Sequence, residues 1–266
     1  MHREATVCNR LQPGKTALVA VHRSIKKTIF GNNKIMNKLL LGVIAIAIAG
    51  VIYWKTRPSP FNTNDPLIAG SGAVELLADL NTQELSPGWV HRKFLTVSPA
   101  DYQTVEEDGV SALRCVTDNS GSILARDTSI PLSTHPILSW RWKVTEPIDS
   151  DIDEATKDGD DHPIRFFLVF SNENKDRRAM EIIWSNKKYI PGDYKIIGNF
   201  YHYVANGLEE NTGKWFDQQV DLRKIYSDIG GTGTPTLETI GFFCDSDNTG
   251  TSSDGMFSRV VLSPGG

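Results

Sequence analysis

Ile137-Leu138-Ser139-Trp140-Arg141-Trp142-Lys143-Val144 and, after a long acidic connection, Ile164-Arg165-Phe166-Phe167-Leu168-Val169-Phe170 decide how this chain folds. In the first run a period of two puts Leu138, Trp140, Trp142 and Val144 on one face and Ser139, Arg141 and Lys143 on the other, the alternation of a half-buried strand. The tryptophan face is expected to be core. In the second run both faces are apolar apart from Arg165, as in a central strand covered on both sides. A buried guanidinium needs a carboxylate, so Arg165 is expected to pair with Asp160 or Asp161.

Working outward, the punctuation stays that of β-structure. Tyr102 to Val105 and Val110 to Val116 flank Glu106-Glu107-Asp108-Gly109 and read as a hairpin. Further strands are expected at Ser122 to Arg126, Met180 to Ser185, Tyr201 to Ala205, Trp215 to Val220, Thr239 to Asp245 and Met256 to Leu262. Asp221 can cap a helix over LRKIYSDI that Gly230-Gly231 ends, and Ala73 to Leu80 reads as another short helix. The fold expected is a mainly β sandwich or jelly roll with one or two short helices, preceded by a single N-terminal transmembrane or signal helix.

The net charge of −4 hides an asymmetry. Up to Arg57 ten Lys and Arg face one acid, a balance of +9, and the remainder carries −13. An acidic body argues against holding a nucleic-acid backbone, which needs clustered bases. Leu39 to Trp54 is free of charge, lies between Lys38 and Lys55, and ends in Tyr53-Trp54; it reads as a membrane anchor or as a cleaved signal segment. Residues 1–35 are a doubtful leader, since Met36-Asn37-Lys38 offers a second start. Residues 36–57 form the signal anchor or signal peptide, 58–72 a Pro- and Asn-rich tether, and 73–266 the sandwich domain. The body is expected to be anchored to the inner membrane and to face the periplasm, or to be exported. Cys115 and Cys244 could bridge in an oxidising space or remain reduced core thiols.

Thr145 to Pro163 holds eight acids against Lys157. The run reads as a solvated loop whose last acid meets Arg165, with a hard-cation site at Asp158, Asp160 and Asp161 as the alternative. Asp245-Ser246-Asp247-Asn248-Thr249-Gly250 imitates the opening of a calcium loop, but Met256 stands where the bidentate Glu belongs, so a structural turn is expected. Calcium is the one cofactor considered, on Asp245, Asp247 and Asp254. Five tryptophans in an acidic body suit a sugar-binding sandwich, with Trp184 and Trp215 the ones expected to be exposed near strand ends. No Gly-x-Ser-x-Gly elbow and no zinc spacing is present.

The ordered series Trp140-Arg141-Trp142-Lys143-Val144, Gly159-Asp160-Asp161, Arg165 to Phe170, Trp184, Trp215, Asp221-Leu222 and Asp245 to Gly250 resembles the bacterial domain of unknown function 3047 family, over about Ser86 to Ser263. The resemblance implies an exported or envelope protein and joins Asp160, Asp161, Arg165, Asp245, Asp247 and Asn248 into one pattern. It brings no activity with it. The function expected is ligand binding, with Asp160, Asp161, Arg165, Trp184 and Trp215 as contacts to a polysaccharide or an envelope protein partner. A glycan hydrolase or lyase using paired carboxylates and a structural or assembly factor of the envelope are the alternatives.

Overall fold

Asp108 and Gly109 both have positive φ, 56° and 73°, the two-residue turn that matches the twist of antiparallel strands. It closes the expected hairpin, β3 (Asp101–Glu107) with β4 (Val110–Asp118). A computed structural model describes residues 38–49 and 59–265 of the chain. The chain divides into two units, Met1–Pro58 and Ser59–Gly266.

In the first unit residues 38–49 are helical (α1) with exposed side chains. Among the described residues no helix is long and apolar enough to cross a membrane. The leader, Cys8 and the remainder of the 36–57 segment lie outside the described residues.

The second unit is two packed sheets. One runs β11 (Phe216–Asp221), β6 (Ile137–Glu146), β13 (Ser252–Ser263), β4, β3, with β1 (Val74–Glu75) also paired to β13. The other runs β2 (Trp89–Lys93), β5 (Gly121–Pro131), β12 (Thr236–Asp245), β7 (Arg165–Ser171), β8 (Arg177–Ser185), β10 (Phe200–Gly207), β9 (Tyr194–Ile197). Every pairing between these strands is antiparallel except β8 with β10. α2 (Leu222–Asp228) starts where expected, the Asp221 side chain accepting Arg223 N–H at 2.9 Å.

Both opening runs behave as their periods require. Leu138, Trp140, Trp142 and Val144 are buried in the core between the sheets, with Phe166, Leu168 and Phe170 facing them. Trp142 stacks on Phe166 at 6.0 Å, and Phe166 meets Phe257 at 5.1 Å and Phe242 at 5.7 Å. The far face of β7 is covered as well: Phe167 packs against a second cluster of Phe61, Ile123, Ala125 and Phe243.

Two expectations are corrected. Ala73 to Leu80 is a two-residue strand and turns, because Val74 and Glu75 pair with Leu262 and Val261. The tether is part of the sandwich from Ser59 onward. Phe61 is buried on Phe167, Thr63 N–H donates to Asp127 Oδ2 at 2.7 Å, and Leu67 bridges to Thr128. Short composition-based segments of this kind hide single aromatic anchors, and Phe61 is one.

Cys115 on β4 and Cys244 on β12 form a disulfide that ties one sheet to the other, with Cα atoms 6.6 Å apart and both side chains buried.

Candidate functional site

Registers across the second sheet place Phe167, Glu181, His202 and Lys195 side by side, one residue from each of β7, β8, β10 and β9. Partners in a ladder point to the same face, and Phe167 faces away from the core, so the whole row stands on the sheet's outer face. Arg165, two residues before Phe167, joins it there. The acidic loop folds over this end of the face and brings Glu154, Asp160, Asp161 and His162 down onto it.

The result is a buried ionic cluster. Arg165 donates to Glu181 Oε2 at 2.8 Å and to Asp245 Oδ2, and its guanidinium lies 3.9 Å from the Phe243 ring centroid. Lys195, wholly buried, sits 2.6 Å from Asp160 Oδ1 and 3.0 Å from His162 Nε2. His162 Nδ1 faces Trp184 O at 2.8 Å. His202 Nε2 stands between two carboxylates, 3.4 Å from Asp160 Oδ1 and 3.3 Å from Glu181 Oε2. Asp160 is the most open acid of this group, its side chain 20% exposed against 5% for Glu181 and 7% for Asp245.

These neighbours set the protonation states. Burial alone would raise Asp160, but the His162 hydrogen bond and the charges of Arg165 and His202 hold its carboxyl far below the usual range. Burial of Glu181 is likewise outweighed, by Arg165 and by the His202 hydrogen bond, and its carboxyl is lowered. Burial, with the Lys195 ammonium alongside, pushes the His162 imidazole down to about 4. Asp245 goes the other way: its burial outweighs the pull of Arg165.

The sequence expectation of one polar cluster uniting Arg165, the Asp160–Asp161 pair and the Asp245 turn holds, with different pairings. Asp160 offers Arg165 only its backbone carbonyl, at 3.3 Å. The carboxylate of Asp161 turns to the 245–250 turn, where it accepts Thr249 N–H and Oγ1–H, each at 2.7 Å, and Asn248 N–H at 3.3 Å. That turn therefore presents donors to a carboxylate, the reverse of a calcium loop collecting oxygens. Gly121 opposite it is required, since a Cβ there would lie 2.7 Å from Asp245 Cβ.

Oxygens of Asp161, Asp245 and Asp247 lie within 4.8 Å of one another. Asp254 is not among them: it forks onto Arg114 across β13 and β4, with Nε 3.0 Å from Oδ1. The acidic loop is not wholly solvated either. Glu154 is buried, and accepts Ser185 Oγ–H and the N–H groups of Asn186, Lys187 and Lys188 at 3.0–3.1 Å.

Trp184 corrects the expectation of exposure. It is fully buried against Trp142 and Phe216 of the first sheet, because on β8 it stands three residues from Glu181 and so points to the inner face, into the core between the sheets. Trp215 is half-buried with the Arg141 guanidinium 5.6 Å and the Lys143 ammonium 5.9 Å from its ring. Those cations point outward from the first sheet, so Trp215 lies on the opposite side of the sandwich from Arg165. Sequence reasoning missed Lys195, Glu154 and His202. Lys195 sits in a short edge strand bounded by polar residues, and nothing local marks it as buried.

A family model described as "Protein of unknown function (DUF3047)" matches residues 87–261. No curated protein matches the chain. Among solved structures, the family 11 carbohydrate-binding module of the cellulosomal cellulase Lic26A-Cel5E of Clostridium thermocellum is similar at 11% identity and a TM-score of 0.37, over 74% of this chain and 97% of that one. The xyloglucanase domain of NopAA, a type three effector from Sinorhizobium fredii, is similar at 13% identity and a TM-score of 0.36, over 74% and 99%. At these scores neither likeness carries an argument about what this chain binds. The family match covers well over half of the sequence and contains every residue of the cluster, and the chain belongs to the family described as Protein of unknown function (DUF3047).

Proposed function

We propose that this is an exported envelope protein, tethered through Leu39 to Trp54, whose sandwich binds a polyhydroxylated ligand of the carbohydrate class on the outer face of the second sheet. The observation that carries the reading is the row of groups on that face. Phe167 and Phe200 are partly exposed rings stacked 12° from parallel at 6.3 Å, Phe200 meets His202 at 5.2 Å, and His202 reaches the partly exposed Asp160. Aromatic faces beside an ionised, rigidly held carboxylate suit a pyranose, whose C–H face packs on rings while its hydroxyls donate to oxygen. The disulfide supports export, since such bonds persist in oxidising compartments.

Hydrolysis is the weaker reading. Asp160 and Glu181 are both held in the ionised form, so neither supplies the protonated carboxylic acid that glycoside cleavage needs. Asp245, whose carboxyl is raised, has its oxygens taken by Arg165 and the His162 N–H.

A glycan array probed with the unit that begins at Ser59 tests the binding reading. Retention of one glycan class, weakened at least tenfold by Phe200→Ala and by Asp160→Asn, is expected. A clean negative, or binding untouched by both substitutions, would remove it.

A further inference from the structure

Strand β13 changes partner halfway along: Ser252 to Phe257 pair with β4, whereas Val261 and Leu262 pair with β1. Between the two a bulge shifts its register against β6 from Ser258 to Val261. The seam opens into a groove of about 510 Å³, within the range of small-molecule sites. Its floor is aliphatic, with Leu77, Leu80, Val110, Ala112 and Leu113, and Arg259 stands at its wall.

Arg259 is the unusual feature. It occupies the left-handed region at φ 48°, which for a residue with a Cβ costs about 1–2 kcal/mol, and glycine would fit there without penalty. Bulges re-aim side chains, and this one is fastened: Ser258 Oγ–H donates to Ser111 O at 2.7 Å, while Val260 is buried and its carbonyl accepts Leu76 N–H at 2.8 Å. The guanidinium thus delivered is exposed and meets no carboxylate among the described residues. Glu75, an acid that also lines the groove and pairs in register with Val261, accepts Leu77 N–H at 3.4 Å. Backbone strain held in place around an unpaired cation at the wall of an apolar groove is the arrangement of a binding site.

We propose that this groove binds a single-chain amphipathic anion, its apolar chain on Leu77, Leu80 and Val110 and its carboxylate or phosphate on Arg259. The site lies in the first sheet and is independent of the sugar-binding face.

The test is titration calorimetry of the full chain with sodium decanoate below its micellar range, and with decanol as the neutral counterpart. Saturable decanoate binding is expected, at least tenfold tighter than decanol. Arg259→Gly, which relieves the strained φ, is expected to abolish that preference while leaving Tm no lower. Thr104→Trp, from an exposed position on the groove wall, is expected to block both ligands. The proposal is overturned if decanoate does not bind, or if Arg259→Gly and Thr104→Trp bind it as the parent chain does. Decyl phosphate in place of decanoate separates a phosphate head group from a carboxylate, and the tighter of the two names the natural class.

Discussion

The ammonium of Lys195 lies 2.6 Å from the carboxylate of Asp160, joining an edge strand to the end of the acidic loop, thirty-five residues earlier in the chain, through a contact from which water is excluded on the lysine side. Breaking such a pair from one end leaves the other charge uncompensated, which costs roughly 3–5 kcal/mol. Lys195→Met is therefore expected to lower the free energy of unfolding by about 3 kcal/mol in urea titrations. Adding Asp160→Asn is expected to restore a good part of it. An unchanged midpoint in the single variant would show that the pair contributes nothing.

Arg165 serves two acids at once, Glu181 and Asp245. Arg165→Met is expected to cost about 4 kcal/mol, near the upper end for a buried ion pair, because two carboxylates lose their partner. Arg165→Lys keeps the charge but cannot fork, and is expected to fall between the two. Equal stability of the Lys and parent proteins would mean that charge alone, and not the guanidinium geometry, holds the cluster.

How much of this was legible in the sequence depended on range. The period of two in Leu138 to Val144 and the Asp108-Gly109 turn are local signals, and both were realised at the expected places. Arg165 could be read as buried because its neighbours on both sides are apolar, yet its partners could not. Glu181 and Asp245 reach it through strand pairings sixteen and eighty residues away. Trp184 was misread for the same reason: a strand end looks exposed until the sheet that packs across it is known. β1, β2 and β9 are short edge segments with no alternation of their own, recognisable only by the strands they pair with.

The cluster makes stability depend on pH in a definite direction. The folded His162 titrates at about 4 and an unperturbed histidine near 6.5, so between those values the unfolded chain holds more protons. Stability contributed by the neutral ring is present above that window and is lost as pH falls through it. Asp160, Glu181 and Glu154, all lowered, add to the loss below the ordinary carboxylate range, whereas the raised Asp245 opposes it. Urea midpoints between pH 7.5 and 4.5 should fall for the parent chain, and more gently for His162→Gln. Parallel curves for the two proteins would remove His162 as the cause.

Cys115 and Cys244 close a loop of 129 residues between the two sheets. The chain-entropy account gives such a cross-link about 4–5 kcal/mol, although native disulfides measure anywhere between about 2 and 5. The double variant Cys115→Ala, Cys244→Ala is expected to lose about 3 kcal/mol and to fold without oxidant. The parent chain, oxidised, should show no free thiol at either position by mass spectrometry after alkylation under denaturing conditions. Alkylation of both would contradict the bridge and withdraw the support it lends to export.

The trio Asp161, Asp245 and Asp247 invites calcium by composition, and the hydrogen bonds argue against it. Calcium takes six to eight oxygens at about 2.3–2.6 Å, and most must be free to turn toward it. Here Asp161 already accepts Thr249 and Asn248, and Asp245 accepts His162 N–H and the Arg165 guanidinium, a cation occupying the place a metal would need. Asp247 is left, and burial together with the nearby Asp161 charge raises its carboxyl, against the smaller pull of its own backbone N–H and of Arg165. Calorimetric titration with calcium to millimolar concentration is therefore expected to give no saturable heat and no rise in Tm. Asp247→Asn, which removes the repulsion, should raise Tm slightly. Should calcium instead stabilise the parent protein, with the effect lost in Asp247→Asn, the turn would be a cation site and Arg165 would have to leave Asp245 for it to fill.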